Sequence, residues 1–167
     1  MCLTATCTFD LKSITALTYV SMYKRFRPRI AFHFTNGIAA LSMAFNFQYP
    51  LLMVLSAILL IGNCFMYFFL PKMQYAALNR MQNVVNTYTF CDDIIKIESK
   101  GELYEGGAEL RYPMIQRVME TSEYFFIFQS KNQVFIVDKA TITGGTAMDL
   151  QNKLAPYVKK KYFLCAY

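Results

Sequence analysis

From Ile30 to Leu70 the chain runs for 41 residues without an Asp, Glu, Lys or Arg. A bilayer core takes about 20 apolar residues per helix, so this stretch has room for two spans and a tight turn. Leu51 to Leu70 reads LLMVLSAILLIGNCFMYFFL. Its Leu, Ile, Val and Phe residues contribute roughly −0.3 to −0.6 kcal/mol each at the bilayer centre, which outweighs Ser56 and Asn63. The segment Ile30 to Phe47 is shorter and more polar, carrying His33, Thr35, Asn36, Gly37, Ser42 and Asn46.

Flanking charge decides how that first segment is read. Lys24, Arg25, Arg27 and Arg29 precede it, and Lys72 and Arg80 follow the second. Short basic flanks stay cytoplasmic. One span would carry one basic flank across the membrane, whereas two keep both inside. The expectation is a transmembrane hairpin (30–47 and 51–70) that turns around Gln48, Tyr49 and Pro50, with both termini in the cytoplasm. The apolar run starts too late and is too long for a signal peptide.

Outside this region the pattern predicts four further pieces. Thr4 to Leu11 alternates like a strand, and Ser13 caps a helix through about Lys24, which Arg27-Pro28 ends. Residues 1–29 form this cytoplasmic unit. A juxtamembrane helix occupies 71–85, with Met73, Ala77, Leu78, Met81 and Val85 at helical spacing. From Asn86 short β-branched and aromatic runs take over: Thr87–Cys91, Ile94–Ser99, Glu109–Tyr112, Arg117–Glu120, Tyr124–Gln129 and Val134–Val137. Asp92-Asp93, Gly106-Gly107 and Ser130 to Gln133 read as the turns between them. Tyr124 to Phe128 is apolar on both faces, as in a strand covered on both sides. Thr146 and Asp149 resemble a capping box for a last helix whose face is Ala147, Leu150, Leu154 and Val158, interrupted by Pro156. Residues 86–167 thus form a small β-barrel or sandwich closed by a helix, so the whole is a membrane hairpin plus an α+β domain.

Composition agrees. Apolar residues make up 55% of the 167 and charged ones 17%, a balance that excludes disorder. Residues 1–85 hold seven basic residues and one acid, and residues 86–167 hold ten of each, so the net charge of +6 lies in the membrane-proximal half. The topology rule accounts for that charge without a nucleic-acid partner. Juxtamembrane Lys and Arg are worth about 1 kcal/mol each against anionic lipid, a possible partner at the cytoplasmic face.

Catalytic signatures are sparse. The lone His33 falls inside the first span, which removes Ser-His and Cys-His triads from the cytoplasmic part. The five cysteines, at 2, 7, 64, 91 and 165, form no CxxC pair, and no cofactor or metal is expected. Asn36 and Asn63 lie at matching depths in an antiparallel hairpin and are expected to bond each other or nearby backbone, with Gly37, Ala40 and Ala44 giving a small face for close approach. Lys159-Lys160-Lys161 followed by Tyr162-Phe163-Leu164 reads as a charged helix end with an aromatic tail packed on the sheet, ahead of a membrane contact. Tyr112, Lys139 and the Gly101 to Gly107 loop are the candidate ligand surface, because loops carry binding more often than cores do.

The order of parts resembles the YcxB-like family of small bacterial membrane proteins. Thr89-Phe90-Cys91-Asp92-Asp93 stands at that family's acidic turn, Tyr112-Pro113-Met114-Ile115 at its aromatic residue and one-turn helix, Glu123 to Phe128 at its aromatic strand, and Phe135 to Lys139 at its closing strand. Asp138 departs from the family's usual Pro before the terminal Lys. The resemblance implies a C-terminal domain similar to pleckstrin-homology and GRAM-type modules and implies no known activity. The expected role is a non-catalytic, membrane-anchored binding or regulatory protein whose partners are the bilayer and a protein or a second copy. The alternatives are an accessory subunit of a larger membrane complex and, less favoured, an enzyme using carboxylates such as Asp92 and Asp93; a channel needs more polar residues than two spans supply.

Overall fold

The computed structural model describes residues 2–22, 28–45, 48–130, 132–158 and 161–165. Strand β1 (Leu3–Thr8) alternates LTATCT, turning Leu3, Ala5 and Cys7 inward. It pairs antiparallel with β2 (Val85–Phe90), from Leu3 opposite Phe90 to Thr8 opposite Val85. β3 (Ile94–Lys100) and β4 (Glu105–Arg111) complete a four-stranded antiparallel sheet in the order β1-β2-β3-β4. The expected division between residues 1–29 and 86–167 is therefore corrected by the ladder, since the first strand of this sheet precedes the apolar helices and the second follows them. Beyond Thr8 the ladder continues, Phe9 N–H donating to Val84 O at 2.8 Å and Asn83 N–H to Phe9 O at 2.9 Å. Asn83 takes φ +59°, a left-handed position that Asn tolerates better than most residues.

A second sheet runs β7-β6-β5-β8. β5 (Arg117–Glu120), β6 (Tyr124–Phe128) and β7 (Val134–Asp138) are antiparallel, and β8 (Tyr162–Leu164) lies parallel to β5. All five residues of β6 are buried, as its unbroken apolar run requires. Gly106 and Gly107 lie inside β4, opposite Ser99 and Glu98, and do not form the turn expected of them. The chain turns at 101–104 instead, where a Cβ on Gly101 would lie 2.7 Å from Val84 Cγ2. Pairing with β3 overrides the weak strand preference of two glycines.

The two sheets are joined along β1. Thr4 exchanges backbone hydrogen bonds of 3.0 and 2.8 Å with Thr143, and the Thr141 hydroxyl donates to Thr6 O at 2.7 Å while accepting from Thr6 N–H at 2.9 Å. Gly144 sits at φ +79° with its Cα so close to Cys2 O that a Cβ would lie 2.9 Å from it. Inside, Tyr88, Phe90, Phe125, Phe126 and Ile136 are fully buried. Helix α5 (Ala147–Val158) adds Leu150, Leu154 and Val158 to this core and continues through Pro156. Thr146 and Asp149 cap it reciprocally, and hydrogen bonds to the carboxylate from the Thr146 hydroxyl and then from its N–H hold the Asp149 carboxyl below its usual range.

Helix α1 (Leu11–Met22) starts from Asp10 and not from Ser13. Ser13 N–H donates to Asp10 Oδ1 at 2.7 Å and Asp10 N–H donates to Ser13 Oγ at 3.2 Å, so Ser13 is the inner half of a capping box. Then come α2 (Pro28–Phe45), α3 (Pro50–Phe68) and α4 (Leu70–Ala77), with a single 3-10 turn at Asn79–Met81 leading into β2. The juxtamembrane helix expected over 71–85 thus ends at Ala77. Among the described residues the architecture is five helices and two sheets, an α+β fold.

Because β1 is integral to the first sheet, residues 86–167 produced alone are expected to leave Tyr88 and Phe90 uncovered and to aggregate. A chain joining residues 2–22 to 70–167 through a short linker is expected to give a monodisperse, protease-resistant domain, read by size-exclusion chromatography and circular dichroism.

Candidate functional site

Thr35, Asn36 and Ser42 of α2 meet Ser56 and Asn63 of α3 between the two helices. Ser56 and Asn63 are seven apart on α3, and Thr35 and Ser42 are seven apart on α2, close to two helical turns in each case, with Asn36 next to Thr35. The antiparallel pair brings these positions together. Asn63 Nδ2 donates to Asn36 Oδ1 at 2.9 Å and to Thr35 Oγ1 at 2.7 Å, and the Ser56 hydroxyl donates to Ser42 Oγ at 3.0 Å. Outside these contacts the two helices expose Phe34, Leu41, Phe45, Leu51, Ile58 and Leu59. In water this polarity is inverted, because a soluble helix pair turns its apolar faces inward.

The small residues behave otherwise than expected. Gly37 has open space where a Cβ would stand, and Ala40 and Ala44 are exposed; Ala39 is the alanine buried against the rest. Ala39 lies two, one and five positions from Gly37, Ala40 and Ala44, which is at least 100° of helical rotation from each, so the expected stripe is not the buried face of α2. Among the described residues α3 is the one helix long and apolar enough to cross a membrane, and the apolar part of α2, Ile30–Phe45, is shorter than that. Asn46 and Phe47 of the expected first span lie outside the described residues.

Where the hairpin meets α1, aromatic rings cluster. Tyr67 stacks on Tyr19 at 4.9 Å and on Phe32 at 4.3 Å, and its backbone carbonyl accepts from the Tyr19 hydroxyl at 3.0 Å. Exposed His33 sets its ring edge-on to Phe32 at 5.5 Å. The Thr18 hydroxyl bonds Gln74 at 2.7 Å, tying α1 to α4. These two helices leave the end of the first sheet where Thr8, Val85, Lys100 and Glu105 meet, so the 101–104 turn, with Leu103 79% exposed, is at the same end. Of the basic flanking residues, Lys72 and Arg80 are exposed on α4 and the 3-10 turn. Lys24, Arg25 and Arg27 and the side chain of Arg29 lie outside the described residues, as do Lys159 and Lys160.

Two expected ligand-surface residues prove internal. Tyr112 is fully buried; its hydroxyl donates to Cys91 O at 2.7 Å, its ring stacks on Tyr157 at 4.9 Å, and burial pushes its hydroxyl above the usual range. Lys139 Nζ lies 2.5 Å from Glu120 Oε1 and 4.6 Å from the Phe125 ring centre, with the two charged side chains only 17% and 12% exposed. The second Glu120 oxygen accepts from the Tyr162 hydroxyl, whose proton is held more tightly by burial and then by that bond. Asp138 does not pair with Lys139 but caps the following turn, accepting from Ala140 N–H at 2.9 Å. Asp92, 81% exposed at its side chain, pairs with Lys153 at 3.2 Å. The aromatic tail lies beside β5 as β8, leaving Phe163 and Leu164 exposed.

Glu120, Tyr162 and Lys153 are the residues that patterning missed. Their partners meet only through the parallel β5–β8 pairing and the packing of α5, and no local motif marks either. A shallow, open depression on β3 and β4 is lined by Lys96, Ile97, Glu98, Gly107, Ala108 and Glu109; it shares only Gly107 with the expected Gly101 to Gly107 loop. Among the described residues no group of three or more His, Cys, Asp or Glu is placed to hold a metal ion.

Breaking the largely buried Lys139–Glu120 pair from one side is expected to cost about 3–5 kcal/mol, as in Glu120→Ala, while Lys139→Met with Glu120→Leu recovers most of it. Equilibrium unfolding of the hairpin-deleted domain measures both. In the full chain, Asn36→Leu and Asn63→Leu are expected to couple by about 0.6 kcal/mol in a double-mutant cycle in detergent.

Comparison with known proteins adds one finding. Residues 92–154 match the family described as YcxB-like protein, from the turn after β2 into α5. No curated protein sequence and no solved structure matches the chain.

Proposed function

We propose that this YcxB-like chain is a membrane-anchored, non-catalytic binding or regulatory protein, with a two-span hairpin and a pleckstrin-homology-like head on the cytoplasmic face. The observation that carries the reading is that the chain leaves the first sheet at Thr8 and returns at its register partner Val85, with an uncharged apolar helical hairpin between. Paired strand residues are about 5 Å apart, so departure and return share one side of any bilayer. If α3 crosses, an even number of crossings requires α2 to cross as well. The apolar part of α2, Ile30–Phe45, spans about 24 Å, so the bilayer thins locally or residues beyond Phe45 complete the crossing.

Lipid supplies the solvent that the hairpin's inverted polarity calls for. Asn36, Thr35 and Asn63 satisfy one another between the helices, while phenylalanine and leucine meet acyl chains. Tyr19, Phe32 and Tyr67 then sit at the headgroup level, where aromatic rings are favoured, and Lys72 and Arg80 face anionic lipid beyond them. Two four-stranded sheets with a closing C-terminal helix support the pleckstrin-homology-like reading of the head. A docking role within a larger membrane complex is the second reading, favoured by exposed Phe163 and Leu164 on β8, the outer strand of its sheet.

Reporter fusions test the topology. Fusions after residue 22 and at the C-terminus are expected to report the cytoplasm, and an insertion at 48–49 the opposite side. Two ends on opposite sides, or a full-length chain soluble without detergent, refutes the proposal. Loss of a co-purifying protein on Leu164→Asp supports the docking reading.

A further inference from the structure

Cys2 and Cys91 stand at the far end of the β1–β2 ladder from the hairpin. Their sulfurs are 2.9 Å apart, with one thiol hydrogen-bonded to the other. Thr4 spends both its N–H and its carbonyl on Thr143, so the Thr4–Thr89 pair exchanges no hydrogen bonds. Antiparallel pairs alternate, which makes Leu3–Phe90 a hydrogen-bonded pair and sets Cys2 opposite Cys91 in a non-hydrogen-bonded one. Cys91 N–H agrees, pointing away from β1 to Ile94 O at 3.0 Å. Such a site brings Cα atoms to about 4.5 Å, within the range a disulfide accepts.

We propose that Cys2 and Cys91 form a reversible disulfide that staples β1 to β2. The oxidant is a hydroperoxide. Exposed Cys2, as thiolate, attacks one peroxide oxygen; an S–O bond forms, the O–O bond breaks, and the departing oxygen takes up a proton and leaves as water or alcohol. Cys91 then loses its proton and attacks the Cys2 sulfur; the S–S bond forms, the S–O bond breaks, and the hydroxyl leaves as water. Two thiols are oxidised and one peroxide is reduced.

The surroundings assign the roles. Cys2 is exposed and Cys91 half-buried, so Cys2 meets the oxidant first, and the hydrogen bond to Cys2, ahead of burial and the Cys2 charge, raises the Cys91 thiol above its usual range, with Lys96 and Lys153 opposing. The other cysteines are worse placed. Burial, then Asp138 and Asp10, push the Cys7 thiol up to about 12; burial raises that of Cys165; Cys64 lies within α3. The closed ring contains the whole hairpin, so the staple locks the one strand whose sequence lies on the far side of that insertion. Unlike the membrane reading, this inference rests on the β1–β2 ladder alone.

The test uses the full-length chain in detergent, treated with hydrogen peroxide, alkylated and mapped by mass spectrometry. The expected result is loss of two hydrogens per molecule, one peptide cross-linked between Cys2 and Cys91, and reversal by a thiol reductant. The thermal midpoint is expected to rise by roughly 5–15 °C. Cys91→Ser is expected to leave a Cys2 sulfenic acid that dimedone traps, and Cys165→Ser to leave the cross-link intact. Recovery of Cys2 and Cys91 both alkylated after saturating peroxide, or linked to Cys7, to Cys165 or to a second chain, overturns the proposal. The wild-type map decides the question even where a variant fails to fold.

Discussion

Antiparallel pairing of Thr8 with Val85 governs the layout of this protein. A strand pair sets its partners about 5 Å apart, so everything between residues 8 and 85 must begin and end at one point. Two helices therefore leave the sheet together as α1 and α4, and the apolar helices must fold back as a hairpin. The first sheet in turn has no closing strand without residues 3–8. Head and hairpin are interdependent in the chain although one buries its apolar side chains and the other exposes them.

β1 is held on both edges, by β2 along its length and by Thr141 and Thr143 on the other side. Those contacts join the two sheets and bury Leu3, Ala5 and Cys7 against Tyr88 and Phe126 in one core. The hairpin shows the reverse arrangement, with amides and hydroxyls between helices and large apolar side chains outside. The two arrangements satisfy polar groups by different means. In the head, backbone ladders do it within a hydrophobic core; in the hairpin, Asn63 does it for Asn36 and Thr35 within an apolar surround.

What was legible from patterning was what depends on nearby residues. The strand at Arg117–Glu120 and the Thr146–Asp149 cap lie where the pattern puts them, because a β run and a capping box are signals within a few residues. Asn36 and Asn63 were legible as a pair because uncharged helices joined by a short turn leave little freedom of alignment. Gly106 and Gly107 misled, since glycine signals a turn only when no neighbouring strand recruits it. Tyr112 and Lys139 misled for the same reason: polar tips near loops suggest a surface, yet Cys91 O and Glu120 capture them from other strands.

Taken alone, the sequence determined the uncharged stretch, the excess of basic residues beside it, the change from helical to β patterning at Asn86 and the similarity of residues 92–154 to the YcxB-like family. These follow from composition and from periods of two to four residues, which act locally. Tertiary structure alone decided that residues 3–8 complete the first sheet, that Glu120 holds both Lys139 and Tyr162, and that two distant cysteines face each other. Each of those contacts joins residues at least 19 apart, and backbone pairing brings them together without leaving a local trace in the residues that take part.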